Sequence, residues 1–259
     1  ASGIAGFAEE YFPVVDFNLL GGFITKTITL KPRKGNTHTR LFEVKGGIIN
    51  SIGLENPGVE AFLKQKLPLM KKILKIPIVV SIAGGSYREF CRLSKYFYGI
   101  AGVAALELNL SCPNTGSDVL ICQNERQAVK ITSAVKLLSG LPVIVKLSPA
   151  VADAVSLAGA LKRAGADAIS LINTFPTVII EQKKIISGGF SGPGLKSTAL
   201  KIIKAVAEKV KIDIMGVGGI SSVSDAGEFF KAGAVTIAVG SAMFRDPLLP
   251  IKIVNEIMS

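Results

Sequence analysis

The sequence predicts an α/β protein closed as a TIM-type (β/α)8 barrel, and three observations carry that expectation. Strand-like apolar runs alternate with helical patterns along the chain, as βαβ units around a parallel sheet do. The length of 259 residues suits one such domain, which typically needs about 250 residues. No strand-like run is followed by Gly-x-Gly-x-x-Gly opening a helix, so a doubly wound open sheet is the runner-up.

The expected strands cover residues 22–30, 77–83, 103–110, 141–147, 166–173, 212–216 and 234–240. Each is a short run rich in Val, Ile and Leu, suited to a sheet covered on both faces. Helical spacing fits 58–74, 86–98, 123–138, 151–164, 197–210, 222–232 and 248–258, and also 7–18. Ala1-Ser2-Gly3 reads as the tail of a truncated first strand whose body lies upstream. Two connections, 31–57 and 174–193, are longer than ordinary loops and belong over the C-terminal face, where barrel enzymes keep their sites. The second contains a small hairpin over 177–186. The whole chain, 1–259, reads as a single domain.

Composition excludes several function classes. The three cysteines, Cys91, Cys112 and Cys122, are odd in number and lack Cys-x-x-Cys spacing. That disfavours a disulfide framework, a zinc site or an iron–sulfur cluster held by this chain alone, and suits a reducing cytoplasm. Cys91 lies in a helical pattern and reads as a small core residue; Cys122 reads as inert and buried. His38 is the single histidine and sits in a polar stretch that reads as a solvated loop. The net charge of +11 comes from lysines spread along the chain without interleaved aromatics, so nucleic-acid binding is not expected. A field favouring anionic ligands fits as well, above a largely solvated surface. No run of about 18 apolar residues is present, so no membrane span is expected.

The chemistry concentrates where strands run out. In Glu107-Leu108-Asn109-Leu110-Ser111-Cys112-Pro113-Asn114 a buried strand meets two amides and a thiol. A cysteine before a proline is usually a plain loop residue, yet Pro113 keeps Cys112 extended, and amides beside a thiol can hold a planar substrate and remove its proton. Lys26 and Lys146 lie within apolar strands, which is costly unless they meet an anion or a polar cofactor. Asn173 sits at the same level, and Asn50 can reach over the mouth. Gly216-Val217-Gly218-Gly219-Ile220-Ser221 and Gly240-Ser241 end the last two strands, where barrels commonly bind phosphate through backbone N–H groups. A third glycine-rich loop spans 187–194. The lysines suit a cofactor that becomes anionic on reduction, such as a flavin.

These separated motifs resemble the dihydroorotate dehydrogenase family over nearly the whole chain. The resemblance rests on Leu108-Asn109-Leu110-Ser111-Cys112-Pro113-Asn114, of the Cys-containing class, and on Thr25-Lys26-Thr27, Asn50-Ser51-Ile52-Gly53-Leu54-Glu55-Asn56-Pro57-Gly58, Val145-Lys146-Leu147-Ser148-Pro149, Ile172-Asn173-Thr174, Gly189-Phe190-Ser191-Gly192-Pro193 and Gly216-Val217-Gly218-Gly219-Ile220. It implies FMN on a TIM barrel and oxidation of dihydroorotate to orotate, with Cys112 removing the C5 proton while the C6 hydride passes to the flavin. It implies substrate contacts from Lys26, Asn50, Ile52, Gly53, Leu54, Asn109, Asn114, Asn173 and Thr174. It implies cofactor contacts from Ala1, Ser2, Gly3, Lys26, Thr27, Asn109, Lys146, Ile172, Ser191, Gly192, Gly218, Gly219, Gly240 and Ser241, and no metal.

Segments 5–11 and 190–196 are similar to the NAD-linked branch of the family. That branch implies a second subunit carrying FAD and an iron–sulfur cluster, with a homodimer of this chain. Residues 115–123 form a shorter segment than that branch usually has. The alternatives are a single-subunit, fumarate-linked dihydroorotate dehydrogenase, an FMN reductase acting on another pyrimidine, and a non-enzymatic barrel that binds a phosphate ligand.

Overall fold

Seven parallel strands curl into one sheet in the computed structural model, which describes residues 1–37, 39–110 and 120–258. They are β1 (Phe23–Ile24), β4 (Ile78–Ile82), β5 (Ala105–Asn109), β6 (Val143–Leu147), β7 (Ala168–Leu171), β10 (Asp213–Gly216) and β11 (Thr236–Ile237), adjacent in that order. Residues 1–6 lie between the two ends of the sheet. The Ala1 nitrogen donates to the Val239 carbonyl at 2.7 Å, and the Lys26 N–H donates to the Gly6 carbonyl at 2.9 Å. The N-terminal segment thus bridges β11 and β1 at the mouth of a TIM-type barrel.

Helices follow the strands and cover the outside. They are α1 (Gly58–Ala61), continued through a π turn (Phe62–Lys66) into α2 (Leu67–Ile73), then α3 (Tyr87–Lys95), α4 (Glu125–Ser139), α5 (Ala154–Arg163), α6 (Lys196–Lys209), α7 (Val223–Lys231) and α8 (Leu249–Met258). Side chains cap four of them. Ser86, Asn124, Asp153 and Ser222 accept the N–H groups of Glu89, Gln127, Ser156 and Asp225, so first-turn donors are satisfied. Gly140 closes α4 in the left-handed region at φ 66°. No helix among the described residues is long and apolar enough to cross a membrane.

The core lies between sheet and helices. Along β5 and β6, Leu106, Leu108, Val143 and Val145 are wholly buried, as are Ile131 and Val135 of α4 and Phe90 and Leu93 of α3. The alternate positions of the same strands turn to the barrel interior.

A second, antiparallel sheet stands over the mouth. It comprises β2 (Leu41–Val44), β3 (Gly47–Asn50), β9 (Lys184–Ser191) and β8 (Phe175–Glu181), in that spatial order. Its own small core is Phe42, Ile49 and Ile186. The two long connections therefore meet each other. The hairpin expected over 177–186 extends to the full length of β8 and β9, and β2–β3 is a strand pair that the reading of 31–57 as a loop did not include.

Two other expectations are corrected. Residues 7–18 form successive turns, then a short 3-10 turn at Phe17–Leu19, in place of a helix. Ala8 at φ 74° and Pro13, which has no N–H, break the helical ladder there. The run 22–30 joins the ladder only at Phe23–Ile24, with a single bridge from Ile28 to Ile82. Beyond Ile24 single bonds still tie the run to β4, from the Thr25 N–H to Val79 and from the Ile28 N–H to Ser81, while the Lys26 N–H turns the other way to Gly6.

Leu108→Ala would open a cavity between β5 and its covering helices. We expect a loss of roughly 2–5 kcal/mol in unfolding free energy, measured by urea denaturation. A loss below about 1 kcal/mol would show that this layer is loosely packed.

Candidate active site

Strand register assembles the polar floor of the barrel. Parallel pairing sets Ser81 opposite Glu107, Asn109 opposite Lys146, and Lys146 opposite Ser170. Glu107 and Asn109 are two apart on β5 and share a face. All five residues are buried, with Glu107 fully so. Four adjacent strands thus contribute polar side chains to an interior that the outer face of the same strands keeps dry.

Apart from Ser170, whose Oγ has no hydrogen-bond partner among the described residues, these groups are hydrogen-bonded in sequence. Ser81 Oγ donates to Glu107 Oε1 at 2.9 Å, and Thr27 Oγ1 lies 3.0 Å from Ser81 Oγ. Asn109 Nδ2 donates to Thr27 Oγ1 at 3.5 Å, and Asn173 Nδ2 donates to Asn109 Oδ1 at 3.2 Å. Lys146 Nζ donates to Ser2 Oγ at 3.0 Å and pairs with Glu107 Oε2 at 3.9 Å. A buried lysine is thereby compensated by a buried carboxylate.

Above this floor is a cavity of about 820 Å³. That is near the upper end for a ligand site, room for a mononucleotide cofactor and a small substrate together. Its floor carries Thr27, Asn109 and Lys146, with Lys26 at the rim. One wall is Asn50 with Ile52, Gly53 and Leu54; another is Ile172, Asn173 and Thr174 with Ser191 and Gly192 of the hairpin sheet. Ala1, Ser2 and Gly3 close the side between β11 and β1, and Gly218, Gly219, Gly240 and Ser241 close the far end. Every described residue expected at substrate or cofactor therefore lines this one cavity. Cys112, Asn114 and His38 lie outside the described residues. Cys122 is buried, and burial pushes its thiol pKa up; Cys91 is half-buried on α3.

The wall residues are held by the second sheet. Asn50 Nδ2 donates to the Gly189 carbonyl at 3.0 Å, and Ser51 Oγ donates to the Ser187 carbonyl at 2.7 Å. A Cβ on Gly189 would lie 2.1 Å from Thr174 Oγ1, so only glycine lets β9 pass this close to the wall.

The glycine-rich end is braced from beneath. Gly219 has φ +86°, and a Cβ there would lie 2.6 Å from the Lys196 nitrogen. Asp225 of α7 holds the loop: its Oδ2 accepts both the N–H and the Oγ–H of Ser221 at 2.8 Å. Its Oδ1 accepts from Lys196 Nζ at 2.8 Å, and Lys196 also donates to Glu228 at 3.0 Å. Burial alone would raise the Asp225 pKa, but the bonds from Lys196, Ser221 and Ser222 bring it down to about 2. The same carboxylates, Asp225 first, raise the pKa of Lys196. The lining fits a phosphorylated cofactor: Gly218, Gly219 and Gly240 leave backbone accessible at one end, and a buried cation stands on the floor.

The dihydroorotate dehydrogenase family model matches residues 1–259. The chain belongs to that family. Curated relatives agree. A protein of Caldicellulosiruptor saccharolyticus named dihydroorotate dehydrogenase B (NAD(+)), catalytic subunit, is 44% identical over 254 residues, covering 95% of this chain and 84% of its own. The protein of the same name from Thermodesulfovibrio yellowstonii is 42% identical over 267 residues, covering 99% and 87%. That of Citrifermentans bemidjiense is 39% identical over 263 residues, covering 99% and 86%.

Several residues that build this dihydroorotate dehydrogenase cavity escaped the sequence reading. Ser81 and Glu107 sit on strands chosen for their apolar runs, and the available signal was a carboxylate between two leucines, two residues before Asn109. Glu55 lines the cavity, pairs with Lys26 at 3.7 Å and accepts from Arg40 at 2.8 Å. Asp225 and Lys196 reach the site only through the loop they brace.

Asp225 makes stability depend on pH. Its folded pKa lies below the ordinary 3.8, so its contribution is complete above that value and is lost as pH falls toward about 2. Asp225→Asn is expected to cost about 2 kcal/mol at pH 7. The gap from wild type should narrow steadily below pH 4 in denaturant titrations. A gap independent of pH would mean that the carboxylate's charge does no stabilising.

Proposed function

We propose that this chain is the catalytic subunit of an NAD-linked dihydroorotate dehydrogenase, oxidising (S)-dihydroorotate to orotate in pyrimidine biosynthesis. The observation that carries the reading is the single cavity in which asparagine amides from three segments face a buried lysine, in a chain similar throughout to catalytic subunits of that name.

The cofactor in this reading is FMN. A flavin, when bound, supplies the two-electron acceptor for the hydride at C6 of the substrate. Gly218, Gly219, Gly240 and Ser241 hold its phosphate through backbone and hydroxyl groups. Ser191 and Gly192, with Ala1, Ser2, Gly3 and Ile172, line its ring. Lys146, buried on the floor, would supply positive charge to a cofactor that becomes anionic on reduction. Asn50, Asn109, Asn114 and Asn173, with Thr174 and the backbone of Ile52, Gly53 and Leu54, bind the pyrimidine and its carboxylate. Lys26, whose ammonium stands 3.7 Å from Glu55 at the rim, would contact the flavin and help position the substrate. Cys112 takes the C5 proton from the loop after β5.

Two electrons must then leave. The name shared by the relatives specifies a catalytic subunit and NAD(+), which supports a partner subunit here. We assign that partner FAD and an iron–sulfur cluster, and assign this chain to a cytoplasmic homodimer within the complex.

Co-purification from the native source tests the assembly. A yellow complex with a cluster-bearing partner that reduces NAD+ with dihydroorotate is the expected result. Turnover of the lone chain with fumarate would place it in the single-subunit branch. Cys112→Ser tests the base, because a serine hydroxyl is a far weaker base than a thiolate. Flavin reduction by dihydroorotate, followed by stopped-flow absorbance at pH 7, should slow by roughly 10²–10⁴-fold with flavin content unchanged. An unchanged rate would assign the proton to another group.

A further inference from the structure

The reaction as written gives Glu107 no task, yet it is the most demanding residue of the barrel floor. Its side chain is fully buried. Oε1 accepts from Ser81 at 2.9 Å, while Oε2 has no hydrogen-bond partner among the described residues. Glu107 and Asp225 are the two buried carboxylates among the described residues, and Asp225 is tied to Ser221 and Lys196 beneath the glycine loop. A buried ion pair is often no more stabilising than apolar residues of similar volume. Fold stability is therefore a weak reason for a carboxylate here.

Its relation to Lys146 supplies a stronger one. Oε2 stands 3.9 Å from Lys146 Nζ, too far for a hydrogen bond and close enough for strong attraction in a dry interior. Neither side chain is more than 5% exposed, so dissolved salt screens the pair little. The ammonium gives one proton to Ser2 Oγ at 3.0 Å. Lys146 also lines the cavity, so it keeps donors for a ligand there. Glu107 is not part of that lining. Its carboxylate reaches a ligand through charge, with Lys146 between them.

Charge on the floor counts most when the cavity holds a ring that gains charge. Dihydroorotate gives up a hydride from C6 and a proton from C5 to become orotate. The hydride takes two electrons into the flavin and adds one negative charge to it, and the proton goes to Cys112. An uncompensated lysine would favour that added charge and hold the electrons back. In the proposed function they go on to nicotinamide, whose reduced form is itself a strong reductant. We propose that Glu107 sets the reduction potential of the flavin: acting through Lys146, it offsets the lysine's charge and keeps the reduced cofactor a strong enough donor to pass its electrons on. Glu107 is thus a positioning residue for charge, not a catalytic one. This inference rests on the flavin and dihydroorotate reading of the cavity.

The test uses the FMN-loaded protein, with the reduction potential read against a reference dye during reductive titration. Wild type must bind FMN and lose its yellow colour with dihydroorotate; if it does not, the functional reading fails and this inference with it. Glu107→Gln keeps the shape and can still accept from Ser81, but it removes the charge. The variant should favour reduced over oxidised FMN by on the order of tenfold more than wild type, a rise of about 30 mV in a two-electron potential. A rise smaller than about 15 mV, or a fall, overturns the proposal and leaves the functional reading standing. Weaker FMN binding without that rise is what a structural residue gives, and it overturns the proposal too. If Glu107→Gln does not fold or does not hold FMN, Glu107→Met decides on the same threshold. If neither variant folds and holds FMN, the carboxylate serves the fold and the proposal falls.

Discussion

A buried charge inside a barrel must be answered by another, and here the requirement is met between neighbouring strands. Lys146 on β6 and Glu107 on β5 are 3.9 Å apart with almost no exposure. Parallel register sets Lys146 level with Asn109, two residues along the same face from Glu107, so the charged side chains meet on the diagonal. The pair in turn dictates its surroundings. Ser81 donates to the carboxylate, Thr27 and Asn109 continue the hydrogen-bonded chain from it, and Ser2 accepts from the lysine. The interior is therefore a connected set, in which one apolar replacement would strand its neighbours without partners.

The mouth is built on a different principle. The floor is rigid because strands hold it, whereas its wall is an added four-stranded sheet with a small core of its own. Asn50 reaches the cavity from β3 while its amide is tied to Gly189 on β9. The cavity wall on that side thus depends on pairing between two segments more than a hundred residues apart. A wall with so little buried apolar surface has low local stability, which suits a part of the site that has to admit and release a ligand.

Much of the barrel was legible because its determinants are local. Short apolar runs and 3.6-residue spacing mark strands and helices, and Ser86, Asn124, Asp153 and Ser222 cap four helices close to the expected starts. The residues that meet in the cavity were legible as motifs at strand ends, and the resemblance to a known family supplied their roles. What escaped was long-range. β2 and β3 bury only a few side chains, and they do so against β9, so their own sequence carries little sign of a sheet. Residues 7–18 have helical spacing, but Ala8 and Pro13 prevent the ladder. Glu107 and Ser81 were hidden among apolar neighbours, because a sequence shows which residue stands on a strand but not which residue on the next strand faces it. Cys112 and Asn114, of the motif at the end of β5, lie outside the described residues.

The charge distribution joins these parts. A chain of net charge +11 already favours anions at long range, so further cations on the floor would be expected if affinity were the sole constraint. The structure places a carboxylate there instead, and another, Glu55, against Lys26 at the rim. Both lysines near the ligands are thereby paired with acids before any ligand arrives. General attraction is left to the surface field, which salt screens and which discriminates poorly among anions. Discrimination is left to hydrogen-bond direction in a dry interior, where a misplaced donor is far costlier than in water. The acids weaken the bare pull on an anion, and in exchange they fix where each of the two cations stands.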